Sequence, residues 1–162
     1  MGQIMPIFQL NEIDRKILDH LQTDGRMSNQ HLSDQIGLSP SPCLRRVRAL
    51  EEAGVITGYV ALVSPDAIGL TVTAFVRIRL HQQDDAHLAL FETAIAGFPE
   101  VMECYMMTGE ADYQLRVLVG SLGEFEDFLR YKLTCIKGVA QVTTSFALRP
   151  TVYRTALPIA AP

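Results

Sequence analysis

Apolar positions follow two rhythms along this chain. Up to about residue 54 they recur at helical spacing, and from residue 72 onward strand-like alternation is mixed in. In residues 11–22 (NEIDRKILDHLQ), Ile13, Ile17, Leu18 and Leu21 fall on one face of a helix. Asn11 is placed to cap that helix, with Asp14 three residues on in the capping-box position. Asp24-Gly25 then signals a turn. Ser28 caps a second helix, which carries Leu32 and Ile36 and stops at Gly37. Only Leu38 separates that glycine from Ser39, the cap of a third helix with Pro40 at its first position. Cys43, Val47 and Leu50 form the buried stripe of this helix, and Gly54 ends it. Three short helices, the last two joined by a tight glycine turn, predict a helix-turn-helix. Residues 55–64 (VITGYVALVS) predict a short strand or ribbon, and Ser64-Pro65-Asp66 with Gly69 places a domain boundary near residues 60–70.

The second half changes register. Val72, Ala74, Val76, Ile78 and Leu80 alternate with Thr73, Phe75, Arg77 and Arg79, predicting a strand over 72–81. Leu88, Phe91, Ile95 and Phe98 share one face of a helix over 85–98, and Phe125, Leu129, Leu133 and Ile136 one face of a helix over 122–136. Strands are predicted at 100–107 and 111–119, joined by a hairpin through Thr108-Gly109-Glu110, and a last strand at 139–148. The order β-α-β-β-α-β is the ferredoxin-like arrangement. The strands read as mostly apolar on both faces. With two helices on one face, the other is expected to pack against another subunit. The proline- and alanine-rich tail, Pro150 to Pro162, is expected either to reach a partner or to stay loose.

Composition adds limits. The 162 residues are 48% hydrophobic and 20% charged, which fits one soluble globular domain or two small ones. No apolar run is long enough to span a bilayer, and Met1 to Leu10 shows neither a basic n-region nor an apolar h-region, so no secretory signal and no membrane partner are expected. Cys43, Cys104 and Cys135 are widely spaced with no C-x-x-C pair, which points away from disulfides and zinc and toward a reducing cytoplasm. The formal net charge of -4 excludes a uniformly basic coat but leaves room for a local patch.

That patch is in the third helix. From Ser39 to Leu50 there is no acid, but there are Arg45, Arg46 and Arg48; the acids return at Glu51 and Glu52. A recognition helix puts its N-terminal part into the major groove, where Arg reaches guanine or phosphate and Ser hydroxyls meet backbone oxygens. At about 100° per residue the three arginines fan across the helix and cannot share one job. The competing reading is a solvated basic face. Ser28, at the head of the second helix, is placed for phosphate contact as well as for capping.

Candidates in the second half are fewer. Gly109-Glu-Ala-Asp112 sits at the hairpin, where glycine is normally turn chemistry. Thr143, Thr144 and Ser145 supply hydroxyls; with a carboxylate near a subunit seam they could hold an amino acid's ammonium and carboxylate groups. His81, Asp84, Asp85 and His87 make a metal-like cluster without ligand spacing, so no metal is expected. There is no phosphate loop, nucleophile elbow or zincin motif, and Cys104 has no evident histidine partner; the chain is expected not to be an enzyme.

Over nearly its whole length the sequence resembles the leucine-responsive regulatory protein/AsnC family of transcription regulators. The resemblance is carried by IDRKILDHLQTDGR (13–26), LSPSPCLRRVRALEEAGVITGY (38–59), EVMECYMMTGEADYQLRV (100–117) and GVAQVTTSFAL (138–148). It implies an α+β protein: an N-terminal winged helix-turn-helix over 1–62, a linker over 63–70, a ferredoxin-like βαββαβ (RAM-type) effector and oligomerisation domain over 71–150, and a tail over 151–162. It implies double-stranded DNA as partner, dimers formed sheet to sheet and assembled into a tetramer of dimers, no cofactor, and a small amino-acid effector bound at the seams. On the DNA side the match covers Ser39, Ser41, Arg45 and Arg46. The effector pocket maps to Met106, Thr108, Gly109, Asp112, Thr144 and Ser145. Two departures border that pocket: Lys137 precedes Gly138 where proline is common, and Met106-Met107 are adjacent. The expected function is therefore a sequence-specific regulator whose DNA binding or assembly responds to an amino acid; the alternative is an amino-acid-sensing regulatory subunit acting through protein partners.

Overall fold

Asn11 closes the first helix as its spacing predicts. Its side chain accepts from the Asp14 N–H at 2.8 Å, and the Asp14 carboxylate accepts from the Asn11 N–H at 3.0 Å. The computed structural model describes residues 8–159. Residues 1–7 of the Met1 to Leu10 stretch, and the last three residues of the tail, lie outside the described residues. The chain forms two compact units, one built from residues up to Leu62 together with the segment from Val152, the other from Val63 to Thr151.

The first unit, the head, holds α1 (Glu12–Thr23), α2 (Asn29–Ile36) and α3 (Pro40–Glu52). Ser28 caps α2 by accepting from the His31 N–H at 3.2 Å. Gly37 ends it with φ 72°, a left-handed geometry that glycine adopts without steric cost. The Asn29 amide donates to Pro40 O at 2.9 Å and so fixes the start of α3 against the start of α2. Ile17, Leu18, Leu32, Cys43 and Leu50 form the buried core, with Val47 packed beside them. Burial raises the Cys43 thiol pKa.

The strand expected over 55–64 does not form. The Val55 and Ile56 N–H groups both return to Leu50 O, and residues 57–64 form neither helix nor strand and have no ladder partner among the described residues. β-rich composition alone cannot make a strand; a neighbouring edge must supply the hydrogen bonds. Tyr59 anchors this segment, its hydroxyl donating to Glu51 at 3.0 Å. Burial and that carboxylate push its phenol up to about 12. From Val152 the tail packs with the head: Leu157 bonds to Gln22, and Ile159 joins the apolar cluster.

The second unit holds β1 (Val72–Leu80), α4 (Asp85–Ala96), β2 (Val101–Met106), β3 (Tyr113–Val119), α5 (Leu122–Tyr131) and β4 (Val139–Phe146). The sheet runs β2-β3-β1-β4 with every neighbour antiparallel. Ala74, Val76, Ile78 and Leu80 from β1, with Tyr113, Leu115 and Val117 from β3, are buried with Phe91, Ile95, Phe125 and Phe128. The helix expected to run to residue 136 ends at Tyr131. Lys132 leaves helical geometry (φ -118°, ψ -67°), and a single 3-10 turn, Leu133–Cys135, still delivers Leu133 and Ile136 to the core. Asp84 caps α4 and binds His87 Nδ1 at 2.7 Å, so this loop is helix-cap chemistry; no metal-holding group occurs among the described residues.

The other sheet face is not apolar. The ladder registers put Phe75, Arg77 and Arg79 of β1 on it with Gln114 and Arg116 of β3, and Glu103 and Tyr105 of β2. Glu103 accepts from Arg116 Nε at 2.8 Å. Among the described residues no helix is long and apolar enough to cross a membrane.

Candidate DNA interface and effector region

α3 presents two kinds of arginine. Ser39, Ser41, Arg45 and Arg48 are exposed, and Ser39 makes no side-chain capping bond. Arg46 turns inward: its Nε donates to Asp14 Oδ1 at 2.6 Å and its terminal amine to Oδ2. The Asp14 side chain is fully buried, whereas that of Arg46 is 34% exposed. Burial alone would raise the Asp14 pKa. The Arg46 bonds, the Asn11 N–H and nearby arginine charge outweigh it and hold the carboxyl below its ordinary value. The same pairing raises the Arg46 guanidinium. A bidentate guanidinium–carboxylate pair is directional and strong, so it ties α3 to α1 in one orientation. Sequence reasoning placed Arg46 with its neighbours on the DNA side. The missed signal is Asp14, a carboxylate lying with Ile17, Leu18 and Leu21 on the inward stripe of α1, where burial demands a partner.

In the second unit Asp112 is similarly engaged. Its Oδ2 accepts from the Leu80 N–H at 2.7 Å and its Oδ1 from the Gln83 amide at 2.7 Å. Its own N–H donates to Ile78 O, and its carbonyl accepts from Met107, both at 2.8 Å. Asp112 thus locks the hairpin base to the end of β1, where the β1–β4 register shifts between Arg79 and Leu80. Gly109, at φ 114°, supplies a backbone conformation that a side chain would strain. Met106 and Thr108 are exposed beside it.

Thr144 and Ser145 lie elsewhere. They pair with Val76 and Phe75 and so point to opposite faces of the sheet, and two strands separate β4 from β2. One chain does not gather the six expected effector residues. A cavity of about 710 Å³ lies between α4 and the α5 end, lined by Leu90, Phe98, Tyr131, Lys132 and Lys137 among others. Another, about 320 Å³, lies where α4 meets β2 and is lined by Glu92, Met102, Cys104, Met106 and Tyr113 among others. Met106 is the only one of the six that lines either cavity. The Tyr113 hydroxyl donates to Glu92 at 2.7 Å, and burial with that carboxylate raises the phenol pKa.

Two family models match this chain. The Lrp/AsnC ligand binding domain covers residues 73–157, and a winged helix-turn-helix DNA-binding domain covers residues 10–57. The chain belongs to the Lrp/AsnC family. Among its relatives is the Bkd operon transcriptional regulator of Pseudomonas aeruginosa, 44% identical over 93% of this chain and 99% of the relative. The leucine-responsive regulatory protein of Escherichia coli is 40% identical over 83% of this chain and 82% of its own length. A Neisseria meningitidis transcriptional regulator solved in complex with L-methionine superposes with a TM-score of 0.89 at 38% identity, covering 93% of this chain and 97% of that one. Escherichia coli AsnC gives 0.82 at 28% identity, over 91% and 98%. This Lrp/AsnC protein is therefore a DNA-binding transcription regulator, α+β in class, with a winged helix-turn-helix head and a ferredoxin-like ligand-binding unit.

Proposed function

We propose that this regulator reads DNA through the outer face of α3, with Arg45, Arg48, Ser39 and Ser41 as its contacts and Ser28 on the flanking phosphate. It works in the cytoplasm, by binding and not by catalysis. The observation that carries the reading is the acid-free stretch from Ser39 to Leu50, with both Arg45 and Arg48 facing outward. Arginine there can pair bidentately with guanine or neutralise phosphate.

Its effector is an amino acid, as the methionine complex of the Neisseria relative supports. Because one chain leaves Met106, Thr108, Gly109 and Asp112 apart from Thr144 and Ser145, the ligand site is completed between subunits. The subunits pair through the open sheet face of Phe75, Arg77, Arg116 and Tyr105, and the dimers join further into a tetramer of dimers. A ligand at such a seam favours one assembly over another and so changes how heads are spaced on DNA.

The test is titration of DNA from the protein's own upstream region at several salt concentrations, with a thermal-shift screen of the twenty amino acids. Affinity is expected to fall steeply with salt, and one amino acid to raise the melting temperature. Salt-insensitive or absent DNA binding would favour a regulatory subunit working through protein partners.

A further inference from the structure

We infer that Arg46 is a positioning residue, which with Asp14 sets the orientation of the recognition helix, and that it contacts neither base nor phosphate. This rests on the DNA-binding reading above and departs from the sequence expectation for this residue.

The geometry separates Arg46 from its neighbours on α3. Its Nε and one terminal amine are directed at Asp14, whose side chain has no exposed surface. Asp14 simultaneously closes the capping box at the start of α1. With Nε and one terminal amine committed to Asp14, swinging the guanidinium out into a groove would strand a buried carboxylate, an arrangement proteins avoid. Held in place, the pair fixes the rotation of α3 about its axis. Arg45 and Arg48 lie about 100° before and about 200° after Arg46 on that helix, so its rotation decides where both guanidinium groups point. Bidentate base contacts depend on such angles, whereas phosphate attraction tolerates error.

Asp14→Asn separates the two roles by sign. If Arg46 touched DNA, releasing it from Asp14 would tighten binding and steepen the salt dependence. If Arg46 positions the helix, the same substitution weakens specific binding although residue 14 cannot reach DNA. We expect Asp14→Asn to lower the ratio of specific to non-specific affinity about tenfold, within the range of one lost base contact, with the slope of log K against log salt unchanged. Asp14→Asn combined with Arg46→Ala should cost no more than either alone. A merely structural pair would lower the melting temperature and leave that ratio unchanged for the folded fraction. Arg46→Lys gives a second arm if Asp14→Asn folds poorly: lysine keeps a phosphate contact but loses the bidentate geometry. A reduced ratio with unchanged slope supports positioning, and an unchanged ratio overturns it. Tighter binding or a steeper slope for Asp14→Asn also overturns it. Wild-type protein without salt-steep DNA binding overturns the parent reading instead, and this one with it.

Discussion

Gln22 holds Leu157 by both of its backbone polar groups. The amide donates to Leu157 O at 3.2 Å and accepts from the Leu157 N–H at 2.6 Å, across a sequence separation of 135 residues. Ile159, two residues on, packs against the apolar cluster of α1, α2 and α3. The last described residues of the chain are thus part of the fold of its first unit.

Removal of the tail after Thr151 is therefore expected to destabilise the head and not only to shorten the protein. Losing a partly buried isoleucine and two exposed hydrogen bonds amounts to about 1–2 kcal/mol, or a few degrees in melting temperature for a unit of this size. Gln22→Ala should give a smaller shift of the same sign. Amide hydrogen exchange along α1 measures it; unchanged protection in the truncated chain would show that the tail only rests on the surface.

Asp112 makes a second expectation concrete. Asp112→Ala leaves the Leu80 N–H without its acceptor and releases Gln83, so the ligand-binding unit should lose about 1–3 kcal/mol. Asp112→Asn keeps an acceptor for that N–H and should recover most of the loss. Urea midpoints of the two variants decide between a fold role and a purely ligand-facing one, for which both would match wild type. A blunted effector response in Asp112→Ala then has to be compared with Asp112→Asn before it is assigned to lost ligand contact.

The buried pair in the head carries a pH signature. The Asp14 carboxyl is held below its ordinary value of 3.8, so the folded state favours its ionised form. The stability this confers is fully present above that value and is lost as pH falls below it, through the depressed folded value. Urea midpoints taken from about pH 6 down to about pH 3 should fall more steeply in wild type than in Asp14→Asn. Parallel curves would mean that Asp14 titrates alike in the folded and unfolded chain.

The proposed subunit pairing can be tested on the open sheet face. Phe75 is 38% exposed and Tyr105 56% exposed there, beside Arg116. Phe75→Asp should raise the dimer dissociation constant at least about tenfold, the cost of removing one buried aromatic anchor, while leaving the monomer folded. Sedimentation velocity reads it directly, and an unshifted dimer would move the interface to another face.

Much of the molecule was legible in the linear chain because its signals are short-range. The Asn11–Asp14 box, the Ser28 cap, Gly37 and the β1 alternation each depend on residues a few positions apart, and each appears as the spacing predicts. So does the basic stretch from Ser39 to Leu50, since a gap in acidic residues needs no structure to be seen. The β-α-β-β-α-β order likewise follows from the succession of periods, as the sheet bears out.

What only the tertiary structure decided are contacts between distant positions. Asp14 with Arg46, and Asp112 with Leu80, each lie 32 residues apart. Spacing could place Arg46 on a helix but could not say which outward angle the packing of α1 would occupy. The 55–64 segment reads as a strand, yet no edge is offered to it among the described residues. Thr144 and Ser145 read as a cluster, but the pleat sends adjacent side chains to opposite faces. Local propensity sets what each segment can become. Burial, which forces every hidden charge and N–H to find a partner wherever the chain brings one, sets what its side chains are left to do.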